Sequence, residues 1–390
     1  MAAEKDFDVI VYGASGFTGR LVAEYLGRTY PEGAAWAMAG RNADKLAAVR
    51  DEMDLPAHTP LVVADADDPA SLAAMAQRAR VVLTTVGPYT LYGEPLVKAC
   101  VEAGAGYVDL CGEPLWMRKM IDAYGAPARE SGARIVFSCG FDSIPFDLGV
   151  YYLQERAKET LGAPVPRVRG RVRAMKGTFS GGTAASFRET IATLTKDPGL
   201  MGVIRSPFAL TPEFDGPTQP DDTAPYEDAA VGSWVTPFIM ASINTKNVHR
   251  SNFLMGHPYG QDFAYDEMMM TGPGAEGEKA AKALASVNPL AGDDAPKPGE
   301  GPDKEERETG FYDVLFLGES PDGQTVKASV KGDKDPGYGS TSKMIAESAL
   351  CLAADVSDLG GGFYTPAAAF GSALIDRLQA KAGLTFAPEN

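Results

Sequence analysis

A glycine-rich turn stands between an apolar strand and an amphipathic helix at the start of this chain. Residues 7–12 read FDVIVY, and the turn GASGFTG is followed by the helical run RLVAEYLG. In this setting glycines let the backbone approach a dinucleotide diphosphate, which the free amides of the helix start attract. The alternative is a purely structural turn. We expect a dinucleotide-binding turn made of Gly13, Ala14, Ser15, Gly16, Phe17, Thr18 and Gly19.

Short apolar runs alternate with helical stretches as far as residue 140. This rhythm is typical of βαβ units in a parallel sheet that helices cover on both faces. It predicts an α/β fold whose N-terminal domain, residues 1–150, is a Rossmann-type doubly wound parallel sheet. The predicted strands are residues 7–12, 34–40, 61–65, 81–87, 107–111 and 134–140.

The pattern changes beyond residue 150. Alternating runs predict a second, α+β domain over residues 151–340 that contains an antiparallel sheet, including a hairpin at its end. Residues 341–390 are expected to form C-terminal helices that pack back on the first domain. The predicted strands are residues 167–179, 262–270, 311–318 and 325–332, and the predicted C-terminal helices are residues 340–356 and 366–383.

Two stretches have the composition of loops, residues 213–228 and residues 292–309. Both are interpreted as exposed connectors, although the first could alternatively act as a mobile lid.

Charge and composition exclude several classes of function. Acidic residues outnumber basic ones by 52 to 36, and the net charge of −16 opposes diffuse attraction to nucleic acid or anionic lipid. No apolar run reaches the roughly 18 residues of a transmembrane helix, which leaves only peripheral membrane contact open. The four cysteines form no CxxC pair and the three histidines have no metal-ligand spacing. We expect no metal and a reducing, cytoplasmic location.

The end of the second predicted strand indicates which cofactor binds. An NAD enzyme would have an acidic residue there for the ribose, whereas this chain has Arg41 followed by Asn42. A guanidinium matches phosphate oxygens, so Arg41 predicts a 2′-phosphate site and NADP as cofactor. Alternatively Arg41 is a surface residue and Asn42 caps the next helix. Asp65 is placed to meet the adenine, although helix capping explains the acidic cluster around it equally well.

Ligands of open α/β sheets bind beyond the carboxyl ends of the strands. Val86, Gly87 and Pro88 follow the fourth predicted strand and should line the nicotinamide end of the site. The hydroxyl of Tyr89 could donate a proton there. Gly87 and Pro88 are equally typical of an ordinary loop.

Several ungapped blocks resemble the saccharopine dehydrogenase-like oxidoreductases, and most closely their trans-acting enoyl reductase subgroup. The resemblance covers nearly the whole chain and implies a Rossmann domain, an α+β domain and a C-terminal helix that packs back. It also implies NADPH, with Gly13, Gly16, Gly19 and Arg41 at the cofactor positions. The blocks are VGPYTLYGEPLVKACVEAGAGYVDLCGEP (86–114), CGFDSIPFDLG (139–149), GTFSGGTAAS (177–186), DPGYGST (335–341) and TPAAAFGSALIDRL (365–378).

The usual proton donor of short-chain dehydrogenases is missing, because no tyrosine precedes a lysine by four positions. Enoyl reduction has a smaller requirement: hydride goes to the β-carbon, and a weak acid or water can protonate the α-carbon. Positioning and polarisation of the thioester carbonyl then provide the catalysis. The candidate groups are Tyr89, Asp142, Ser143 and Ser180. Asp142 and Ser143 could instead cap the helix that follows. The sequence after Ser180 could offer amides to an oxyanion or simply turn the chain.

Two side-chain clusters have open interpretations. The arginines 167, 169, 171 and 173 alternate along one strand and share a face. They either pair with local carboxylates or dock a phosphopantetheine, an acyl carrier or a polycarboxylate substrate. The methionines 268–270, with Phe263 and Tyr265, either pack in the core or line a pocket for lipid chains.

The leading hypothesis is an NADPH-dependent reductase of a hydrophobic unsaturated substrate, an enoyl, acyl or isoprenoid lipid, working by hydride transfer in the cleft between two domains. An acyl carrier is a candidate partner, and nucleic acid is not. One alternative is a saccharopine-like amino-acid dehydrogenase. The other is a non-catalytic protein that senses NADP.

Overall fold

The computed structural model describes residues 5–178, 181–287 and 300–390. The strands are β1 (Phe7–Tyr12), β2 (Trp36–Gly40), β3 (Leu61–Val63), β4 (Ala79–Thr84), β5 (Gly106–Val108), β6 (Arg134–Val136), β7 (Arg167–Lys176), β8 (Tyr226–Asp228), β9 (Ser233–Pro237), β10 (Ala264–Gly272), β11 (Phe311–Glu319), β12 (Thr325–Gly332), β13 (Gly362–Tyr364) and β14 (Leu384–Glu389). The helices are α1 (Phe17–Thr29), α2 (Ala43–Glu52), α3 (Pro69–Arg78), α4 (Tyr89–Glu102), α5 (Pro114–Ser131), α6 (Ile144–Leu161), α7 (Gly181–Lys196), α8 (Met201–Arg205), α9 (Ala241–Leu254), α10 (Gly274–Ala285), α11 (Lys304–Thr309), α12 (Thr341–Ala354), α13 (Pro366–Phe370) and α14 (Ser372–Arg377).

The first sheet is parallel throughout, with the strand order β13-β6-β5-β4-β1-β2-β3. The chain winds outward from β1 in one direction through β2 and β3, and in the other through β4, β5 and β6. This reversal beside β1 is the switch point at which doubly wound sheets bind ligands. The predicted Rossmann-type sheet is confirmed, with β13 as an additional edge strand.

Helices cover both faces of this sheet. The buried side chains of α1, α2 and α12 share one hydrophobic cluster, and those of α3, α4 and α5 share the other. Helix α12 packs against α1 and beneath β1, β4 and β5. The expected return of a C-terminal helix to the first sheet is therefore confirmed.

The second sheet is mixed, with the order β14-β12-β11-β7-β10-β9-β8. Its hairpin of β11 and β12 is confirmed, and neighbouring strands are antiparallel except β7 and β10. The long connection between β7 and β10 carries helices and two strands, and such a crossover allows a parallel pair. The predicted antiparallel sheet therefore contains one parallel pair, which the sequence did not indicate.

Helix α6 joins the two sheets. It begins after β6 of the first sheet and packs against β11 and β12 of the second. Gly149 permits this approach, because a Cβ there would come within 2.3 Å of the Phe316 ring. The domain boundaries at residues 150 and 340 remain predictions; the first falls inside α6 and the second directly before α12.

The C-terminal region is more broken than its helical pattern indicates. Gly371, with a φ of 51°, separates α13 from α14, so the predicted helix over residues 366–383 is interrupted. Beyond it, β14 pairs with β12 and becomes an edge of the second sheet.

The arginine stripe on β7 is paired with carboxylates. Arg171 is fully buried between two aspartates, and the other three arginines are about a quarter exposed or less. The pairing satisfies the stripe within the protein and leaves the docking alternative without free charges. The pairs are Arg167 with Asp266, Arg169 with Glu319, Arg171 with Asp228 and Asp266, and Arg173 with Asp313 and Glu389.

Two further interpretations are decided by packing. Met268, Phe263 and Tyr265 are buried, in keeping with core packing. The loop at residues 213–228 is attached to the start of β10 by Gln219, which forms hydrogen bonds with the backbone of Phe263 and Tyr265. This attachment favours the interpretation of the loop as a connector.

No helix in the described ranges is long and apolar enough to cross a membrane.

Candidate functional site

The turn after β1 has a shape that only glycine allows. Gly13 has a φ of 89°, and a Cβ there would lie 2.7 Å from Val86 Cγ2 and 2.9 Å from Thr85 Oγ1. A Cβ at Gly19 would lie 2.1 Å from the Gly13 carbonyl oxygen. The turn is therefore packed tightly between the end of β4 and the start of α1.

The start of α1 offers free amides at this turn. Its N-cap residue, Gly16, has no side chain to bond them, and the first amides of a helix have no partner within it. Phe17, Thr18 and Ser15 are partly exposed, whereas Ala14 is buried and donates its amide to the Ala39 carbonyl. The exposed amides and the helix dipole suit a diphosphate.

The predicted adenosine end lies at the carboxyl ends of β2 and β3. Arg41 is exposed and forms no salt bridge with any described residue. Burial and the charge of Asp65 raise the pKa of Tyr12 to about 12, and the charge of Arg41 opposes that shift, so the three groups are close enough to interact electrostatically. Asn42 caps α2 by accepting the Lys45 amide at 2.9 Å. An unpaired guanidinium here fits a 2′-phosphate.

Asp65 also shapes its own loop. Its carboxylate accepts the amide of Asp67 at 3.1 Å, while Asp68 caps α3. The capping interpretation of this acidic cluster therefore holds for Asp68, and Asp65 stays a candidate for the adenine.

Val86, Gly87 and Pro88 lie between the end of β4 and α4, beside the glycine turn. Gly87 is exposed, and a Cβ there would lie 3.8 Å from Ser186 Oγ on α7. This loop thus lies between the first sheet and α7. We infer that it can meet the nicotinamide end of a dinucleotide.

Tyr89 is turned into the core. It is 5% exposed, and its hydroxyl accepts the Leu110 amide at 3.0 Å and lies 3.5 Å from the Thr84 carbonyl. Burial raises its pKa well above the ordinary value. The hydroxyl therefore joins the ends of β4 and β5, a structural position that the sequence did not indicate.

Glu113 organises the site, and the sequence analysis did not single it out. Its buried carboxylate accepts the amides of Tyr89 and Thr90 at 2.9 and 2.8 Å and the hydroxyl of Thr90 at 2.6 Å. It also accepts the hydroxyl of Ser186 at 2.8 Å. The sequence did contain one indication of its role: Glu113 follows β5 closely, and ligands bind at the carboxyl edge of a parallel sheet.

Asp142 has a carboxyl group that no described residue partners. It follows β6 and lies near Gly112, which follows β5: a Cβ at Gly112 would be 3.6 Å from Asp142 Oδ2. No described residue hydrogen-bonds this carboxyl, and burial raises its pKa to about 7. A carboxylic acid with this pKa can give and recover a proton near neutrality.

The neighbour of Asp142 does not cap the helix either. Ser143 occupies the N-cap position of α6 but makes no capping bond, and its fully buried hydroxyl accepts from Asn247 at 2.8 Å. The capping alternative for Asp142 and Ser143 is therefore corrected. Ser180 lies outside the described residues.

An apolar cavity of about 700 Å³ lies next to Glu113 and Thr90. Its walls come from α5, α7 and residues 198–205. Arg118 and Lys119 at its edge are paired with Asp122 and Glu94. Apolar lining residues include Pro114, Leu115, Trp116, Ala123, Leu200 and Val203.

Comparison with known proteins defines the class. A model of the saccharopine dehydrogenase NADP binding domain matches residues 9–136. In structure, saccharopine dehydrogenase (L-Glu forming) from Saccharomyces cerevisiae shares the fold, with a TM-score of 0.52 over 98% of this chain and 99% of its own at 13% identity. The glycine turn, the parallel sheet and the match to the family model define the N-terminal part of the chain as an NADP-binding domain.

Full-length relatives are more specific. The trans-acting enoyl reductase of Mycobacterium ulcerans is 38% identical over 97% of this chain and 96% of its own length. A Mycobacterium tuberculosis protein provisionally given the same name is 42% identical over 97% of both chains. The chain belongs to the trans-acting enoyl reductase family of saccharopine dehydrogenase-like oxidoreductases. The predicted family and cofactor are confirmed, and the protein is an NADP-dependent reductase.

Proposed function

We propose that the protein reduces the double bond of an enoyl substrate that carries a long apolar chain. The observation that carries this proposal is the cavity between α5 and α7, whose volume lies within the roughly 300–1,000 Å³ of ligand sites. It adjoins Glu113 and Thr90, at the carboxyl ends of the strands, and its apolar walls suit a hydrocarbon chain.

The cofactor residues are part of the same proposal. The turn of Gly13, Gly16 and Gly19 would hold the diphosphate, and Arg41 the 2′-phosphate. Asp65 would meet the adenosine. Bound NADPH supplies a hydride. The enoyl carbonyl then needs polarisation, and the α-carbon needs a proton.

We assign the proton to Asp142 rather than to Tyr89. The Asp142 carboxyl has no hydrogen-bond partner among the described residues, whereas the Tyr89 hydroxyl is held between two strand ends. The acid would give its proton to the α-carbon and take another from solvent. Ser143, held by Asn247, would position the backbone beside it.

Fewer observations support the two alternative functions, a saccharopine-like dehydrogenase and a non-catalytic NADP sensor. A saccharopine-like substrate would require free cations for its carboxylates, and the β7 arginines are paired. A non-catalytic NADP sensor would need neither the cavity nor a free acid. Two relatives are named for enoyl reduction, which favours the same chemistry here.

The exposed surface next to two lining residues of the cavity is a candidate contact for an acyl carrier. Leu91 and Tyr92 follow the lining residue Thr90, Ile191 follows Thr190, and all three side chains are about half exposed. We propose a carrier rather than a bilayer, because the net charge of −16 opposes anionic lipid. The four free cysteines suit a reducing, cytoplasmic compartment.

The test compares short and long enoyl thioesters. Val203→Trp narrows the cavity and should lower kcat/KM for a long-chain enoyl thioester about tenfold or more, while changing that for crotonyl thioester less than about twofold. Thr195→Trp is the matched control, since this exposed residue lies on α7, a helix that walls the cavity, but is not part of the lining. Equal activity of both variants on the long substrate would contradict the proposal.

A further inference from the structure

The first residue of α1 is covered by a segment from far along the chain. The ring of Phe17 meets the edge of Tyr338 with ring centroids 5.2 Å apart, and the guanidinium carbon of Arg307 lies 5.7 Å from the Phe17 centroid. The backbone of Gly301 lies against the same ring, because a Cβ there would be 2.5 Å from it. The glycine turn therefore has a second wall.

Hydrogen bonds hold this wall together. Arg307 donates from Nη1 to the Pro302 carbonyl, and its own carbonyl accepts the Asp335 amide. The Asp335 carboxylate accepts the amides of Tyr338 and Gly339 at 3.0 and 2.6 Å. Helix α11 and the turn at residues 336–340 thus form one unit over Phe17.

The charge of Arg307 is not satisfied within this unit. A guanidinium has five N–H donors, and the Pro302 carbonyl is its one acceptor among the described residues. Burial raises the pKa of Asp335 and the charge of Arg307 opposes that shift, but the carboxylate oxygens of Asp335 accept hydrogen bonds from backbone amides and not from Arg307. Arg307 forms no salt bridge within the described ranges, although acidic residues exceed basic ones by 16 in this chain. Such an arginine is suited to an external anion.

We propose that Arg307, whose guanidinium lies over the ring of Phe17 at the start of α1, completes the diphosphate site of NADP. The cofactor would then be bound by both halves of the chain. This inference rests on NADP binding and not on the identity of the substrate.

The test measures affinity directly. Arg307→Met keeps an unbranched side chain beside Phe17 and removes the guanidinium with its charge. It should weaken NADPH binding about tenfold or more in a fluorescence titration. Binding of adenosine 2′-monophosphate, which lacks the diphosphate, should change less than about twofold. Arg41→Ser is the contrasting variant and should weaken both ligands.

The outcomes separate this inference from the proposed function. Unchanged NADPH affinity in Arg307→Met would overturn the inference alone, as would an equal loss for both ligands, which indicates general disruption. Failure of the unaltered protein to bind NADPH would overturn both. Arg307→Lys should retain part of the affinity, since a single charge without the planar fork remains. Circular dichroism and Tm verify that each variant is folded.

Discussion

Ser186 on α7 donates a 2.8 Å hydrogen bond to Glu113, the carboxylate that also closes the start of α4. Helix α7 walls the apolar cavity, and α4 begins at the loop that follows β4. One buried side chain therefore ties the cavity to the edge of the sheet where the cofactor is expected. This connection explains how α7, a helix that follows the first sheet in the chain, can form part of the same site.

Glu113→Gln should destabilise the protein more than Ser186→Ala. The amide cannot accept all the donors that the carboxylate accepts, and a buried donor left unsatisfied costs about 1–3 kcal/mol. Removing the Ser186 hydroxyl leaves the backbone donors satisfied and should cost about 1 kcal/mol. Urea denaturation measures both. Equal losses in the two variants would show that Glu113 does not organise the edge.

Gly13→Ala should weaken NADPH binding about tenfold or more, because the positive φ costs about 1–2 kcal/mol and the new methyl meets Val86. Gly202→Ala is the control: this glycine lies in α8 and a Cβ there meets nothing within 4 Å. Calorimetric titration with NADPH distinguishes them. Parent-like affinity of Gly13→Ala would be inconsistent with the role of the turn.

Arg41→Ser should weaken NADPH about ten- to a hundredfold, the effect of one charge-assisted hydrogen bond, and leave NADH affinity unchanged. Asn42→Ala removes the cap of α2 and should cost about 1 kcal/mol of stability without changing the preference between the cofactors. The ratio of the NADH and NADPH dissociation constants is the measurement. A ratio unaffected by Arg41→Ser would assign the 2′-phosphate to another residue.

Asp142 should give the reductase activity its dependence on pH. Its pKa is raised by burial from 3.8 to about 7, so the acid form needed for proton donation is lost as the pH rises through about 7. Parent kcat/KM should fall above that pH. Asp142→Asn should lower kcat/KM about a hundredfold or more and lack this fall. A variant that retains the parent profile would exclude Asp142 as the acid.

The same group links pH to stability. A carboxyl whose pKa is raised on folding favours the folded state below its ordinary pKa of 3.8, and that contribution disappears as the pH rises through about 7. The stability of Asp142→Asn relative to the parent should therefore increase as the pH rises from about 4 to about 7, and the difference should stay constant at higher pH. Asp109 and Asp147, whose pKa values burial also raises to about 7, are present in both proteins, so the difference isolates Asp142.

Local sequence patterns predicted much of the fold. The glycine turn with its flanking strand and helix, the parallel sheet and the hairpin of β11 and β12 each depend on periodicity or turn chemistry within a short window. The three residues of β13 follow a glycine run, and β14 contains a proline, so both strands lacked that signal. Their pairing depends on partners far along the chain.

The site was only partly accessible from sequence. Arg41 and the glycines could be identified because their positions relative to strand ends have a direct chemical meaning. The cavity joins α5, α7 and residues 198–205, which no local pattern brings together. Tyr89 was considered as an acid, yet its position depends on a contact with Leu110, which lies further along the chain, and the importance of Glu113 depends on Ser186.

The most direct test of the central claim follows the transferred hydrogen. Incubation with a long-chain enoyl thioester and NADPH deuterated on its transferable position, followed by mass spectrometry, locates the label. The account predicts a saturated acyl product with deuterium at the β-carbon and solvent hydrogen at the α-carbon. Unreduced long-chain substrate alongside bound, unoxidised cofactor would contradict it.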